Sequence, residues 1–135
     1  AAQTAVRVNE MLADSKATSG FAVSDMDRAK EFYGETLGLP IEVMSEEFGV
    51  TALKLNGGDV LMYLNPEMTP ASYTMLNFEV DGIDAAVEEL GSRGIEFERY
   101  EGFDHDEKGI VRGPGPQIAW FKDPSGNVIA VLQQP

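Results

Sequence analysis

Phe21-Ala22-Val23-Ser24-Asp25-Met26-Asp27-Arg28-Ala29-Lys30-Glu31-Phe32-Tyr33-Gly34-Glu35-Thr36-Leu37-Gly38-Leu39 changes its period part-way along. Phe21 and Val23 alternate as in a strand with one buried face. From Met26 the apolar residues (Met26, Ala29, Phe32, Tyr33, Leu37) recur every three or four positions and fall on one face of a helix of about three turns. Ser24 or Asp25 can offer the capping oxygen to the unpaired N–H groups of the first turn. Gly38 can take the left-handed conformation that ends a helix. The stretch therefore reads as a strand running straight into an amphipathic helix.

The same pattern returns. Phe78-Glu79-Val80 leads through Ile83, Asp84 and Ala86 to Leu90 and Gly94. Val23 and Val80, Asp27 and Asp84, Ala29 and Ala86 are all separated by 57 residues. A repeat of strand, cap, helix and glycine in one order points to two copies of one module.

The remaining segments fill in each copy. Val8 to Leu12 reads as a short strand or turn, and Ala1 to Val6 as loose chain. After the first helix, Pro40 to Met44, Phe48 to Leu55 and Asp59 to Leu64 read as strands. Asn56-Gly57-Gly58 is a hairpin turn, since Asn and Gly tolerate positive φ. Asn65 to Ala71, with Pro66 and Pro70, is the linker. Ser72 to Val80, a helix over Ile83 to Ser92, and strands at Ile95 to Tyr100, Gln117 to Lys122 and Asn127 to Leu132 form the second copy. Glu101 to Pro116 is irregular, and Asp123-Pro124-Ser125-Gly126 is a β-turn. The order is βαβββ twice, an α+β pattern with mainly antiparallel pairing expected.

Composition limits the partners. The 135 residues suffice for one domain of ordinary size. A net charge of −13 disfavours nucleic acid and anionic lipid, both of which need a positive surface. The absence of cysteine removes disulfides, thiol catalysis and thiolate metal sites, and fits a cytoplasmic location. No run approaches the roughly 18 apolar residues of a membrane span. Ala1 to Lys16 lacks the apolar core of a secretion signal.

Val23-Ser24-Asp25 followed by Ala29 and Phe32-Tyr33, then Leu37-Gly38-Leu39, and later Asp123-Pro124-Ser125-Gly126-Asn127, resemble the vicinal oxygen chelate superfamily. That superfamily includes glyoxalase I, extradiol dioxygenases and the bleomycin- and fosfomycin-resistance proteins. The resemblance covers residues 17 to 133. It implies two βαβββ modules (17–65 and 71–133) in a single domain, 17–135, after an N-terminal extension, 1–16. It further implies one curved, mainly antiparallel eight-stranded sheet, with helices on the convex side and the ligand on the concave side. Members that use a metal carry His, Glu or Gln on the first and last strands of each module. The matching positions here are Thr18, Met62, Met75 and Ala130. None suits a hard or borderline divalent cation, so no cofactor and no metal are expected.

Among the remaining residues Trp120, the only tryptophan, should face the concavity by its parity before Asp123. Met62, Met75 and Ile118 are expected there with it, and Asn77 is the polar exception. Adaptable apolar side chains with one amide suit an aromatic or extended apolar molecule. Arg112 can clamp a ligand carboxylate, since its planar fork matches that group, or answer one of the chain's many surface carboxylates. His105, the only histidine, lies in Asp104-His105-Asp106-Glu107 and reads as a solvated loop residue.

Three function classes follow. The first is a small-molecule binding or sequestering protein with an apolar, metal-free concave pocket, acting as a homodimer on an organic ligand that can be aromatic. The second is a metal-independent isomerase or lyase, with Glu79 or Tyr63 as acid or base. The third is a protein-interaction module whose core is filled.

Overall fold

The computed structural model describes residues 8–135. Ala1 to Val6 lie outside the described residues. The chain continues as helix α1 (Val8–Ala13), where a strand or turn is predicted from sequence. Two modules follow, and they do not share a ladder.

The first module holds β1 (Ser19–Val23), α2 (Met26–Lys30), β2 (Ile41–Ser45), β3 (Val50–Leu55) and β4 (Gly58–Leu64). Of the two candidate caps, Asp25 serves: its Oδ1 accepts the Arg28 N–H at 3.1 Å. α2 then widens into a π-helical turn over Glu31–Thr36, and the Leu37 N–H bonds back to the Phe32 carbonyl at 2.9 Å. Gly38, at φ +74°, ends the helix as predicted. The second module holds β5 (Thr74–Glu79), α3 (Ile83–Ser92), β6 (Gln117–Lys122) and β7 (Val128–Gln133).

The strands make two sheets, of order β1-β4-β3-β2 and β5-β7-β6. Each is mixed. β1 pairs parallel to β4 and β5 parallel to β7, and the other pairs are antiparallel. The expectation of one eight-stranded sheet is therefore replaced by a four-stranded and a three-stranded sheet among the described residues. The missing strand is Ile95 to Tyr100. This segment runs extended beside β6 but makes one ladder-type bond, from the Glu98 N–H to the Trp120 carbonyl. The rest of that edge is taken, because Val111 exchanges both backbone bonds with Ile118. Two segments share one strand edge, and neither builds a full ladder.

The core lies on the helix side of both sheets. Val23, Tyr33, Leu53, Met62, Ile83, Ile110, Ala119, Phe121 and Ile129 are all essentially inaccessible to solvent. Across the modules, Phe32 packs on Phe121, with ring centroids 6.3 Å apart. The modules are also latched by polar groups. The Tyr33 hydroxyl donates to Asp123 Oδ2 at 2.7 Å, and Asn127 Nδ2 donates to the Ala22 carbonyl at 2.8 Å. The Ser24 N–H donates to Ser125 Oγ at 2.9 Å. The Asp-Pro-Ser-Gly-Asn turn of the second module is thus a clasp on the strand–helix junction of the first. Arg93 donates to the Thr36 carbonyl at 3.0 Å, and these positions are related by the 57-residue repeat.

Candidate functional site

Register decides what the second sheet presents. Asn77, Ala130 and Trp120 lie in one row across β5, β7 and β6, and Glu79, Leu132 and Ile118 in the next. Paired residues share a face, and neighbours along a strand point oppositely. Ala119, Phe121, Ile129 and Val131 are buried under α3 and α2, so Trp120, Ile118, Asn77 and Glu79 face away from the helices.

Trp120 is half-buried on that face. Its indole Nε1–H donates to Thr74 Oγ1 at 3.1 Å, which fixes the ring plane. Tyr100 and Phe103 pack on it, each with ring centroids at 5.4 Å, and His105 lies at 6.0 Å. Phe103 is 53% exposed. Asn77 and Glu79 are exposed. The arrangement is an open aromatic platform with polar groups along its β5 side. Sequence reading reaches Trp120 through strand parity. It does not single out Thr74 or Tyr100, although both lie in segments read as strands, and it misses Phe103, which belongs to the irregular loop where parity has no meaning.

The segment Glu101 to Pro116 is pinned more firmly than an open lid would be. Ile110 is fully buried in the core. His105 Nε2 accepts the Tyr100 N–H at 3.0 Å, and its Nδ1 lies 2.8 Å from the Gly109 carbonyl. Those two bonds require the tautomer with hydrogen on Nδ1. His105 is a structural pin rather than a solvated loop residue. Asp106 Oδ1 accepts the Lys108 and Ile110 N–H groups, each at 2.9 Å.

Arg112 does not reach the platform. Its guanidinium pairs with Asp84 at 2.6 Å and Asp106 at 2.8 Å and also bonds the Gln117 side chain. Gln117 shares the helix-side parity of Ala119, so this cluster lies on the opposite face from Trp120. The Arg112 hydrogen bond, then that of Lys108, holds the Asp84 carboxyl below the usual carboxylate range. The carboxylate expected in a ligand is supplied from within the chain, and Arg112 is a clip between α3 and the loop.

Met62 is likewise displaced from its expected place. It is fully buried among the helix-side residues and pairs with Phe21 and Thr51. Leu55 pairs directly with Gly58, so the hairpin turn is Asn56-Gly57 and the pleat is one residue out of step with the expected alignment. A one-residue slip moves every side chain to the other face. The far side of the first sheet instead shows Leu61 and Tyr63. The Tyr63 ring lies over Gly20, where any Cβ would collide with it. Met75 sits at the irregularity between Thr74 and Leu76, half-buried against the core. Strand positions facing away from the helices offer Thr74, Asn77, Glu79 and Tyr63 as oxygen or amide donors, with Glu42 and Asp59 on the same side of the first sheet both held by Lys54. Among the described residues no three His, Asp or Glu side chains come together as a metal site. The donor set does not fit a divalent metal held as in the metal-using members.

A second hollow, an apolar cleft of about 260 Å³, lies between the modules on the helix side. Leu37, Leu39, Phe78, Leu90 and Phe121 line it, with Glu89 and Arg93 at its rim. Arg93 is committed there to Glu89 and the Thr36 carbonyl.

Residues 16–131 match the family described as the glyoxalase/bleomycin resistance protein/dioxygenase superfamily. The chain belongs to this superfamily. It is 26% identical over 124 residues to the protein YraH of Bacillus subtilis (strain 168), covering 82% of this chain and 91% of that protein. Among solved structures it resembles TnmS3, an antibiotic binding protein from Streptomyces sp. CB03234. That match has 29% identity and a TM-score of 0.66, and covers 90% of this chain and 98% of the other. It also resembles a lactoylglutathione lyase from Agrobacterium tumefaciens, at 20% identity and TM-score 0.62, covering 89% and 93% of the two chains. The latter likeness shows the fold alone. Among the described residues no helix is long and apolar enough to cross a membrane.

Proposed function

We propose that this superfamily member binds a small organic molecule, without a metal, on the face of the second sheet that carries Trp120. The observation that supports this most is the aromatic group of Trp120, Tyr100 and Phe103 left open beside exposed Asn77 and Glu79. Ile118 adds an apolar neighbour, while Met62, Met75 and Arg112 belong to the core and the loop clip. An aromatic ligand stacked on such rings gains about 0.5–1.5 kcal/mol beyond the area it buries. The likeness to an antibiotic binding protein supports a binding role.

A metal-independent enzyme needs an acid or base held in a protected setting. Glu79 and Tyr63 are both exposed, which favours binding over catalysis. The open platform also favours a homodimer, because Phe48 and Tyr73 are 77% and 70% exposed and the β5 and β2 edges are free to be covered. Light scattering at micromolar concentration checks this, and a monomer removes the dimer.

The test of function is a thermal-shift screen against aromatic metabolites and natural-product drugs, since a ligand of the native state raises the melting temperature. A hit should lose about tenfold in affinity in Trp120→Ala, corresponding to ~1.4 kcal/mol. A hit whose affinity survives that change places the ligand elsewhere, with the apolar cleft lined by Leu90 and Phe121 as the next site to test.

A further inference from the structure

We propose that the Trp120 face selects planar aromatic molecules that carry a positive charge, and that Glu79 is the residue that reads the charge. The proposal rests on the platform being the ligand site and names the chemistry that site takes. Glu79 lies two strands from Trp120's strand and points to the same side. Two strand spacings across and two residues along separate the two Cα positions by about 12 Å, a span that a fused three-ring system and the Glu79 side chain bridge together. Glu79 is exposed, and among the described residues it takes part in no ion pair or side-chain hydrogen bond.

The cations near the platform are already answered. Glu98 is paired with Lys122 at 3.4 Å. Arg99 donates to the carbonyls of Asp106 and Glu107, each at 2.9 Å. Arg112 is tied to Asp84 and Asp106 on the opposite face. Among the described residues the unanswered charges beside the platform are therefore carboxylates, Glu79 on the sheet and Glu101 and Asp104 around Phe103 in the loop, with no free cation to receive an anionic group.

The rings add the same preference. The faces of Trp, Tyr and Phe attract cations through their quadrupoles. The indole N–H is spent on Thr74, so Trp120 offers its ring and not a donor. Asn77, two residues before Glu79 on the same strand and face, supplies an amide for a ligand N–H or carbonyl. The chain's net charge of −13 draws cations toward the surface from a distance.

The experiment is isothermal titration calorimetry at low and moderate salt with two probes. Proflavine is a planar tricyclic cation, and 1-anilinonaphthalene-8-sulfonate is an aromatic anion. Proflavine should bind the wild type more tightly than the anion, and added salt should weaken it. Glu79→Gln should weaken proflavine about fivefold at low salt, as expected for an exposed charge pair. Glu79→Lys should favour the anion. Glu47→Gln, in the exposed turn between β2 and β3, should change nothing and controls for overall charge. Trp120→Tyr keeps a ring and tests for folding, while Trp120→Ala should lose both probes. If proflavine binds wild type and Trp120→Ala alike, the platform is not the ligand site and both readings fall. If binding needs Trp120 but is indifferent to Glu79, or the anion binds as tightly, the charge preference alone is overturned. An absence of proflavine binding to the wild type overturns it as well.

Discussion

Tyr33→Phe removes one oxygen from the clasp that joins the modules, and its effect can be worked out from the geometry. The Tyr33 side chain is fully buried and its hydroxyl donates to Asp123 Oδ2 at 2.7 Å. Asp123 is itself buried, and its other bonds come from Asn127 Nδ2 and from the N–H groups of Ser125 and Asn127. The change deletes one of four bonds to a buried carboxylate and leaves almost no cavity. A hydrogen bond to a charged group contributes roughly 1.5–3 kcal/mol, so the loss should be about 2 kcal/mol. In urea unfolding at pH 7 the midpoint should fall by about 1 M, given a slope of ~1–3 kcal/mol per molar for a small domain.

The alkaline limb gives an independent check. Burial, and then the neighbouring Asp123 carboxylate, push the Tyr33 phenol far above its ordinary value. In the unfolded chain the phenol ionises near pH 10. The stability tied to the protonated native form is complete below about pH 10 and is lost as pH rises beyond it, by ~1.4 kcal/mol per unit. Wild-type stability should therefore fall more steeply between pH 10 and 11 than that of Tyr33→Phe. Equal midpoints at pH 7, or parallel alkaline slopes, would show that the clasp does not hold the modules as described.

Other substitutions separate the roles of the loop. Ile110→Ala should cost about 2–4 kcal/mol by chemical denaturation, since Ile110 is fully buried although it lies in irregular chain; a change under 0.5 kcal/mol would mean the loop is not part of the core. Arg112→Gln should lower stability only slightly in chemical denaturation, with the effect shrinking in salt, because its partners Asp84 and Asp106 are at the surface. The same variant should leave ligand affinity unchanged, and a tenfold loss in calorimetry would restore Arg112 to the site. Protein purified without chelator should hold no stoichiometric Zn, Ni, Mn or Fe by elemental analysis; a bound metal lost on Glu79→Ala or Asn77→Ala would contradict the metal-free reading.

The sequence carried the module repeat because it is written in local signals. The helix of Ile83 to Ser92 and the cap at Asp25 depend on period and on one side-chain oxygen, both visible within a few residues. The Asp-Pro-Ser-Gly-Asn turn was equally legible, although its service as the Asp123–Tyr33 clasp needs the other module in place. What could not be read was pairing over distance. Ile95 to Tyr100 alternates like a strand, with Phe97 against Phe121 in the core and Tyr100 against Trp120 on the other face. It loses its ladder only because Val111 reaches Ile118 first, from a loop with no strand pattern. Met62 was misplaced by one residue of hairpin register, and Arg112 by partners 28 and 6 residues away in the chain. The side of the sheet that Trp120 faces follows from a strand that alternates and ends at a marked turn; whether that face binds a ligand is a separate question.

That question has a direct measurement. The chain has one tryptophan, so a proton–nitrogen correlation spectrum contains one indole N–H signal, held by its bond to Thr74. On titration with a planar aromatic ligand found in the thermal-shift screen, the indole signal and the amides of Asn77 and Tyr100 should shift together and saturate at one affinity. If the indole signal stays fixed while the amides of Leu90 and Phe121 move, the ligand sits in the cleft between the modules and the Trp120 face is not the binding site.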